Sequence, residues 1–206
     1  MALFTVDFIG GALGYRRVKG GGKNQAIARA VGLKSGLKPT VLDVTAGLGR
    51  DAFILASLGC EVRMIERSPV LAKALQEGLA RGLQDPKTGE IIGRMVLIVA
   101  DAKDVLTDLN PDNYPDVIYI DPMFPEENKS ALNKIEMRTL REVVGDDKDA
   151  DLLLTLALKK AKKRVVVKRS RKALPLGGLA PSFVIGGKSS RYDVYLGVKY
   201  EERATA

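Results

Sequence analysis

Five short apolar runs, each followed by a helical pattern or a turn, constrain this chain more than any other feature. They are "TVLDV" (40–44), "EVRMIE" (61–66), "MVLIVAD" (95–101), "DVIYID" (116–121) and "RVVVKR" (164–169). Runs this short, rich in Val and Ile and bounded by Gly or Pro, read as buried strands. Between them, "DAFILASLG" reads as a helix closed by Gly59. A second helix, 68–83, opens on Ser68 as N-cap with Pro69 at its first position. A short helix follows at about 102–109, and two longer ones span roughly 128–144 and 149–161. Strands apolar on both sides, alternating with helices, imply a mostly parallel sheet covered on both faces. The tail differs. "PSFVIGG" and "RYDVYLGVKY" are separated by only Lys188-Ser189-Ser190, so they form an antiparallel hairpin. The expected organisation is an α/β body over 23–206, preceded by an arm of residues 1–22 that joins it through the glycine-rich "RVKGGGKN" (17–24).

Composition narrows the chemistry. The chain of 206 residues suits one domain. It contains no run of the roughly 18 to 20 apolar residues that a membrane helix needs. "MALFTVDFIGGALG" lacks a basic n-region, so it makes a poor signal peptide. The single cysteine, Cys60, cannot form an intramolecular disulfide, and a cytoplasmic location is expected. With no histidine, the usual base near neutral pH and the commonest zinc ligand are both missing. No metal is expected. The net charge of +8 favours a polyanionic partner. Nine of the fourteen residues in "KKAKKRVVVKRSRK" (159–172) are Lys or Arg. A solvated helix end is the plain alternative for such a run.

"DVTAGLGRDA" (43–52) joins the first strand to the first helix. Gly47 and Gly49 allow a tight turn and close backbone approach to a ligand, and the helix starting near Arg50 points its N–H groups into the same crevice. Glu66 ends the second strand, where a carboxylate can take both ribose hydroxyls of an adenosine. "GLGRDA" formally matches a dinucleotide fingerprint, so an NAD-dependent oxidoreductase is a live alternative. Asp43 and Asp51 oppose it, since they put negative charge where a pyrophosphate would lie. S-adenosylmethionine carries an ammonium and a sulfonium and no phosphate, and it suits these acids better. Asp101 and Ala102, at the end of the third strand, can meet the adenine, although Asp101 is equally suited to capping a helix. Arg50 can meet the cofactor carboxylate or pair with Asp51, and Arg67 can lie over the adenine or stay in solvent.

The fourth strand exits through "DPMFP" (121–125), beside the first strand and facing the expected methyl group. The lone pair of an exocyclic amine is delocalised into its base. Acceptors on both N–H bonds fix the amine and favour a pyramidal nitrogen. Asp121 and the Pro122 carbonyl can supply them, and Phe124 can stack on an unpaired or flipped base. Alignment of the two reactants then provides most of the acceleration.

"DVTAGLGRDAFILASLGCEVRMIERSP", "YIDPMFPEENKSALNKIEMR" and "RVVVKR" together resemble the RsmJ family, over about Val6 to Gly197. That resemblance implies a class I, Rossmann-like methyltransferase fold with a seven-stranded, mostly parallel sheet. It implies S-adenosylmethionine-dependent methylation of guanine N2 in small-subunit (16S) ribosomal RNA, within the assembled subunit. It also implies cofactor contacts at Arg50, Asp51, Glu66, Arg67, Asp101, Ala102 and Asp121. The matching arm "GYRRVKGGG" brings Arg16, Arg17 and Gly20 to Gly22 toward the site. The expected RNA-facing residues are Arg16 and Arg17 with Lys163, Arg164, Lys168, Arg169, Arg171 and Lys172. A non-catalytic RNA-binding or assembly factor on a methyltransferase fold is the third reading.

Overall fold

The structure is a computed structural model that describes residues 4–10, 24–122, 149–187 and 190–197. Its strands are β1 (Val41–Asp43), β2 (Val62–Glu66), β3 (Met95–Val99), β4 (Val117–Ile120), β5 (Arg164–Ser170), β6 (Phe183–Gly186) and β7 (Ser190–Leu196). Its helices are α1 (Ala26–Ala30), α2 (Arg50–Ser57), α3 (Pro69–Gln84), α4 (Gly89–Ile92), α5 (Ala102–Asp108) and α6 (Ala150–Lys160). The strands form one seven-stranded sheet in the order β3-β2-β1-β4-β5-β7-β6. β1 to β5 are parallel, and β7 runs antiparallel between β5 and β6. The expected helix at 128–144 lies outside the described residues.

Side-chain alternation explains why both faces are covered. On β4, Val117 and Tyr119 join one apolar cluster with Phe53, Met64 and Leu75. Ile118 and Ile120 join another with Leu42, Leu106, Leu153 and Leu154. The first cluster is roofed by α2 and α3, the second by α5 and α6, and all four β4 residues are buried. Cys60 is fully buried in the first cluster, where burial pushes its thiol up to about 11. It packs as a small hydrophobe and is no nucleophile.

Ends of elements follow local chemistry. Ser68 caps α3 by accepting from the Leu71 N–H at 3.5 Å, with Pro69 at the first position. Gly59, at φ +97°, turns the chain out of α2. β3 stops at Val99, two residues before the expected end, because Asp101 turns to cap α5 and accepts from the Lys103 N–H at 2.8 Å. α1 and α4 have five and four residues, too few to show a helical period in the sequence.

Residues 4–10 belong to the expected arm, yet they are tied to the body. Phe4, Val6 and Phe8 are buried, and the Phe8 ring stacks on Phe53 with centroids 4.9 Å apart. The Arg81 guanidinium donates to the Val6 carbonyl at 2.9 Å. Gly78 of α3 is what lets this segment approach, since a Cβ there would stand 2.7 Å from Val6 Cβ and 2.9 Å from its carbonyl oxygen. Gly78→Ala is therefore expected to destabilise the fold by about 1–3 kcal/mol, from overpacking against backbone. Urea denaturation checks this; an unchanged midpoint would contradict the packing of residues 4–10 on α3.

Candidate active site

The sheet order reverses between β1 and β4, for the chain builds outward to β3 on one side and to β5 on the other. A crevice opens at the carboxyl ends of these two strands, where open α/β sheets hold ligands. Asp43 is the last residue of β1, and Asp121 directly follows β4. Two carboxylates thus share the switch point.

Thr45 joins the two strand ends. Its N–H donates to Asp43 Oδ1 at 3.1 Å, and its hydroxyl accepts from the Asp121 N–H at 2.7 Å. The loop then turns through Gly47 (φ +56°) and Gly49 (φ +69°), positions that favour glycine. Gly49 is the N-cap of α2. A Cβ at Gly49 would stand 2.8 Å from Leu75 Cδ1, whereas one at Gly47 would meet nothing nearer than the Thr45 carbonyl at 4.0 Å. Gly49 therefore serves packing, and Gly47 leaves room on the crevice side.

Glu66 fixes this loop from below. Its carboxylate is buried, accepting from the Gly47 N–H at 2.8 Å and the Ser68 N–H at 2.7 Å.

Asp51, in the first turn of α2, reaches the same crevice. Its Oδ2 accepts from the Tyr119 hydroxyl at 2.7 Å and from Lys168 Nζ at 2.8 Å. Lys168 also donates to Asp121 Oδ2 at 2.7 Å. Burial alone would lower the lysine pKa, but Asp121 and then Asp51 outweigh it and push the ammonium above its ordinary value. Burial, with the charges of Asp51 and Asp121, also raises the Tyr119 hydroxyl well above normal. Asp43 is shifted too. Burial pushes its carboxyl up to about 8, and the nearby Asp51 and Asp121 charges add to the shift.

A second ionic group lies beyond the carboxyl ends of β2 and β3. Arg67 Nη1 pairs with Asp149 Oδ2 at 3.0 Å, Lys103 pairs with the same oxygen, and Lys103 Nζ lies 3.4 Å from Asp101. Partial burial works against Asp149, but the Lys103 hydrogen bond and the Arg67 charge hold its carboxyl below its usual range. Asp101 caps α5 while Ala102 is buried beneath it. Arg50 is exposed at the start of α2, and Pro122 is buried. Phe124, Arg16, Arg17 and Gly20 to Gly22 lie outside the described residues.

The basic strip is not one surface. Lys163 and Arg164 lie at the amino end of β5, opposite the crevice: Lys163 pairs with Asp116 at 3.0 Å and Arg164 donates to the Ala30 carbonyl at 3.2 Å. Lys168 points into the acid cluster. Arg169 is buried and grips the Leu174 carbonyl through Nε at 3.1 Å and Nη2 at 2.7 Å. Arg171 and Lys172 are exposed on the loop after β5. That loop is held further by Arg191, which donates to the Arg171 carbonyl at 3.1 Å.

Sequence reasoning missed Thr45 and Tyr119 and placed Lys168 elsewhere. The available signals were the period-2 alternation of β4 and β5 and the need of a buried tyrosine hydroxyl for a partner.

Comparison with known proteins agrees with this arrangement. Residues 1–197 match the family described as "Putative SAM-dependent methyltransferase". The ribosomal RNA small subunit methyltransferase J of Nitrosococcus oceani is 54% identical over 191 residues, covering 93% of this chain and 75% of the relative. That of Cellvibrio japonicus is 54% identical over 194 residues, covering 92% and 73%. The crystal structure of a SAM-dependent methyltransferase from Neisseria gonorrhoeae superposes with a TM-score of 0.74 at 41% identity, covering 95% of this chain and 75% of that one. With an acid-lined crevice at the switch point of a 3-2-1-4-5-7-6 sheet and relatives at this level of identity, the chain belongs to the ribosomal RNA small subunit methyltransferase J family of SAM-dependent methyltransferases.

Proposed function

We propose that this chain transfers a methyl group from S-adenosylmethionine to the exocyclic N2 of a guanine in small-subunit ribosomal RNA, acting on the assembled subunit in the cytoplasm. The observation that carries the reading is the convergence of Asp43, Asp51 and Asp121 on one crevice at the switch point. Among the described residues, the carboxylates of Asp51 and Asp121 outnumber the Lys168 ammonium. Asp43 adds a further negative charge when a cation beside it favours its ionised form, which suits a cationic donor and repels a pyrophosphate. The residues fit the cofactor: Gly47 leaves space, Glu66 puts a carboxylate at the end of β2, and Ala102 puts a small apolar side chain at the start of α5.

In this reading Glu66 takes the ribose hydroxyls, Asp101 and Ala102 flank the adenine with Arg67, and Asp43, Arg50 and Asp51 meet the amino-acid end. The bound cofactor supplies an electrophilic methyl group on a sulfonium. Asp121 and the Pro122 carbonyl accept the N–H bonds of the target amine and aim its lone pair. Phe124 stacks on the flipped base. The amine proton becomes acidic only once the nitrogen carries the methyl group, so the site needs no histidine. Arg171 and Lys172, on the loop that Arg169 and Arg191 hold, meet RNA phosphates with Arg16 and Arg17 of the arm. Such contacts weaken with salt and read no bases.

The test is to incubate the protein with labelled S-adenosylmethionine and either free 16S RNA or small subunits lacking the modification, then map the label. Incorporation at guanine N2, faster on subunits, is the expected result. Label on another atom would remove the N2 assignment, and binding without incorporation would favour the assembly-factor reading.

A further inference from the structure

Lys168 is the one residue of the basic strip whose ammonium bonds two carboxylates of the crevice, Asp121 Oδ2 at 2.7 Å and Asp51 Oδ2 at 2.8 Å. Its side chain is 27% exposed, and it stands on β5 opposite Tyr192 of β7, on the sheet face that also carries Val166 and Tyr119. A strand flanked on both sides cannot turn this side chain outward without losing its alternation. We propose that Lys168 is a positioning residue for methyl transfer: it clamps Asp51 of the cofactor-side helix to Asp121 at the acceptor-side strand end, keeping Asp121 ionised and aimed at the target amine. The inference rests on the reading just given and adds a residue to it.

The geometry supplies the reason. Asp121 is anchored by its N–H on the Thr45 hydroxyl at 2.7 Å and by its carboxylate on Lys168. Asp51 is likewise held by Lys168 and by the Tyr119 hydroxyl at 2.7 Å. Among the described residues, the groups near this pair include Asp43 from β1, Tyr119 from β4 and Tyr192 from β7. Removing the Lys168 ammonium would strengthen the repulsion between Asp51 and Asp121, and carboxylates sharing a site hold a proton to higher pH. A protonated Asp121 would lose its charge-assisted hold on the amine. Burial holds the Asp43 carboxyl, on the same crevice, up to about 8, with the charges of Asp51 and Asp121 adding to the shift.

The experiment measures methyl transfer to small subunits as a function of pH and salt for wild type, Lys168→Met and Lys168→Arg. Lys168→Met is expected to lower kcat by about 100-fold, the scale of a misaligned reacting pair. KM for subunits should stay within about threefold and the salt dependence should be unchanged, since no phosphate contact is lost. The acid limb of kcat should move up by about one pH unit or more, and Lys168→Arg should return it to the wild-type position. A raised subunit KM with kcat and the acid limb unchanged would overturn the proposal and make Lys168 a phosphate contact. Absence of transfer by wild type would instead overturn the function on which it rests. If Lys168→Met does not fold, carboxyl carbon NMR of wild type decides: Asp121 should be ionised at the pH of the transfer assay, and a protonated Asp121 there would contradict the clamp.

Discussion

Replacing Asp121 by alanine is expected to cut methyl transfer about a thousandfold while S-adenosylhomocysteine binds within about threefold of wild type. The asymmetry follows from position. Asp121 leaves β4 on the acceptor side of the crevice, held by Thr45 and Lys168. The loop proposed to meet the cofactor is held by Glu66, through the Gly47 and Ser68 N–H groups, and these bonds do not involve Asp121. Losing the carboxylate removes an acceptor for the amine and frees the Lys168 ammonium to approach the donor, which raises the barrier twice over. Single-turnover transfer to subunits, set beside calorimetry with S-adenosylhomocysteine, separates the two quantities. Transfer at the wild-type rate would end the role given to Asp121.

The second large effect is on pH. The Asp43 carboxyl is held up to about 8, so below that value the free protein carries it protonated. A ligand ammonium beside it favours the ionised form, so binding releases a proton. Affinity for S-adenosylhomocysteine is then expected to rise by up to about tenfold per pH unit between pH 6 and 8, and to level off above. In the unfolded chain the same group titrates near 3.8. The folded state therefore binds the proton more tightly, and the contribution of Asp43 to stability falls as pH climbs from about 4 to 8. Asp43→Asn should flatten both dependences, giving weaker but pH-independent binding and a smaller decline in Tm across that window. Calorimetry in buffers of different ionisation enthalpy counts the released proton. No proton release at pH 7 would mean that Asp43 does not face the ligand ammonium.

Much of the fold was legible because the strands are short apolar runs with clear punctuation. β4 is "VIYI", β5 contains three valines, and Ser68-Pro69 marks the start of α3. A sheet whose strands are apolar on both sides can only be a covered parallel one. What the sequence hid was direction. In "RVVVKRSRK" the charges look alike, yet strand alternation sends Lys168 to one face and Arg169 to the other, while Lys163 and Arg164 stay at the far rim. Composition counts such charges without saying where they point. Tyr119 was hidden for a related reason, since inside an apolar run it reads as core, and only the structure shows its hydroxyl on Asp51. Thr45 sits between two more conspicuous residues, Asp43 and Gly47, and it links two strand ends by bonding Asp121, 76 positions further along the chain. Phe4, Val6 and Phe8 precede the glycine-rich loop and so looked like part of an arm, although Gly78 and Phe53 receive them in the core.

The account stands on an acid-lined crevice that selects a cationic adenosine donor over a phosphate-bearing one. Parallel titrations of the protein with S-adenosylhomocysteine and with NADH test that selection directly. The expected result is saturable heat with the first, at one ligand per chain, and none with the second; tight NADH binding with no response to S-adenosylhomocysteine would contradict it.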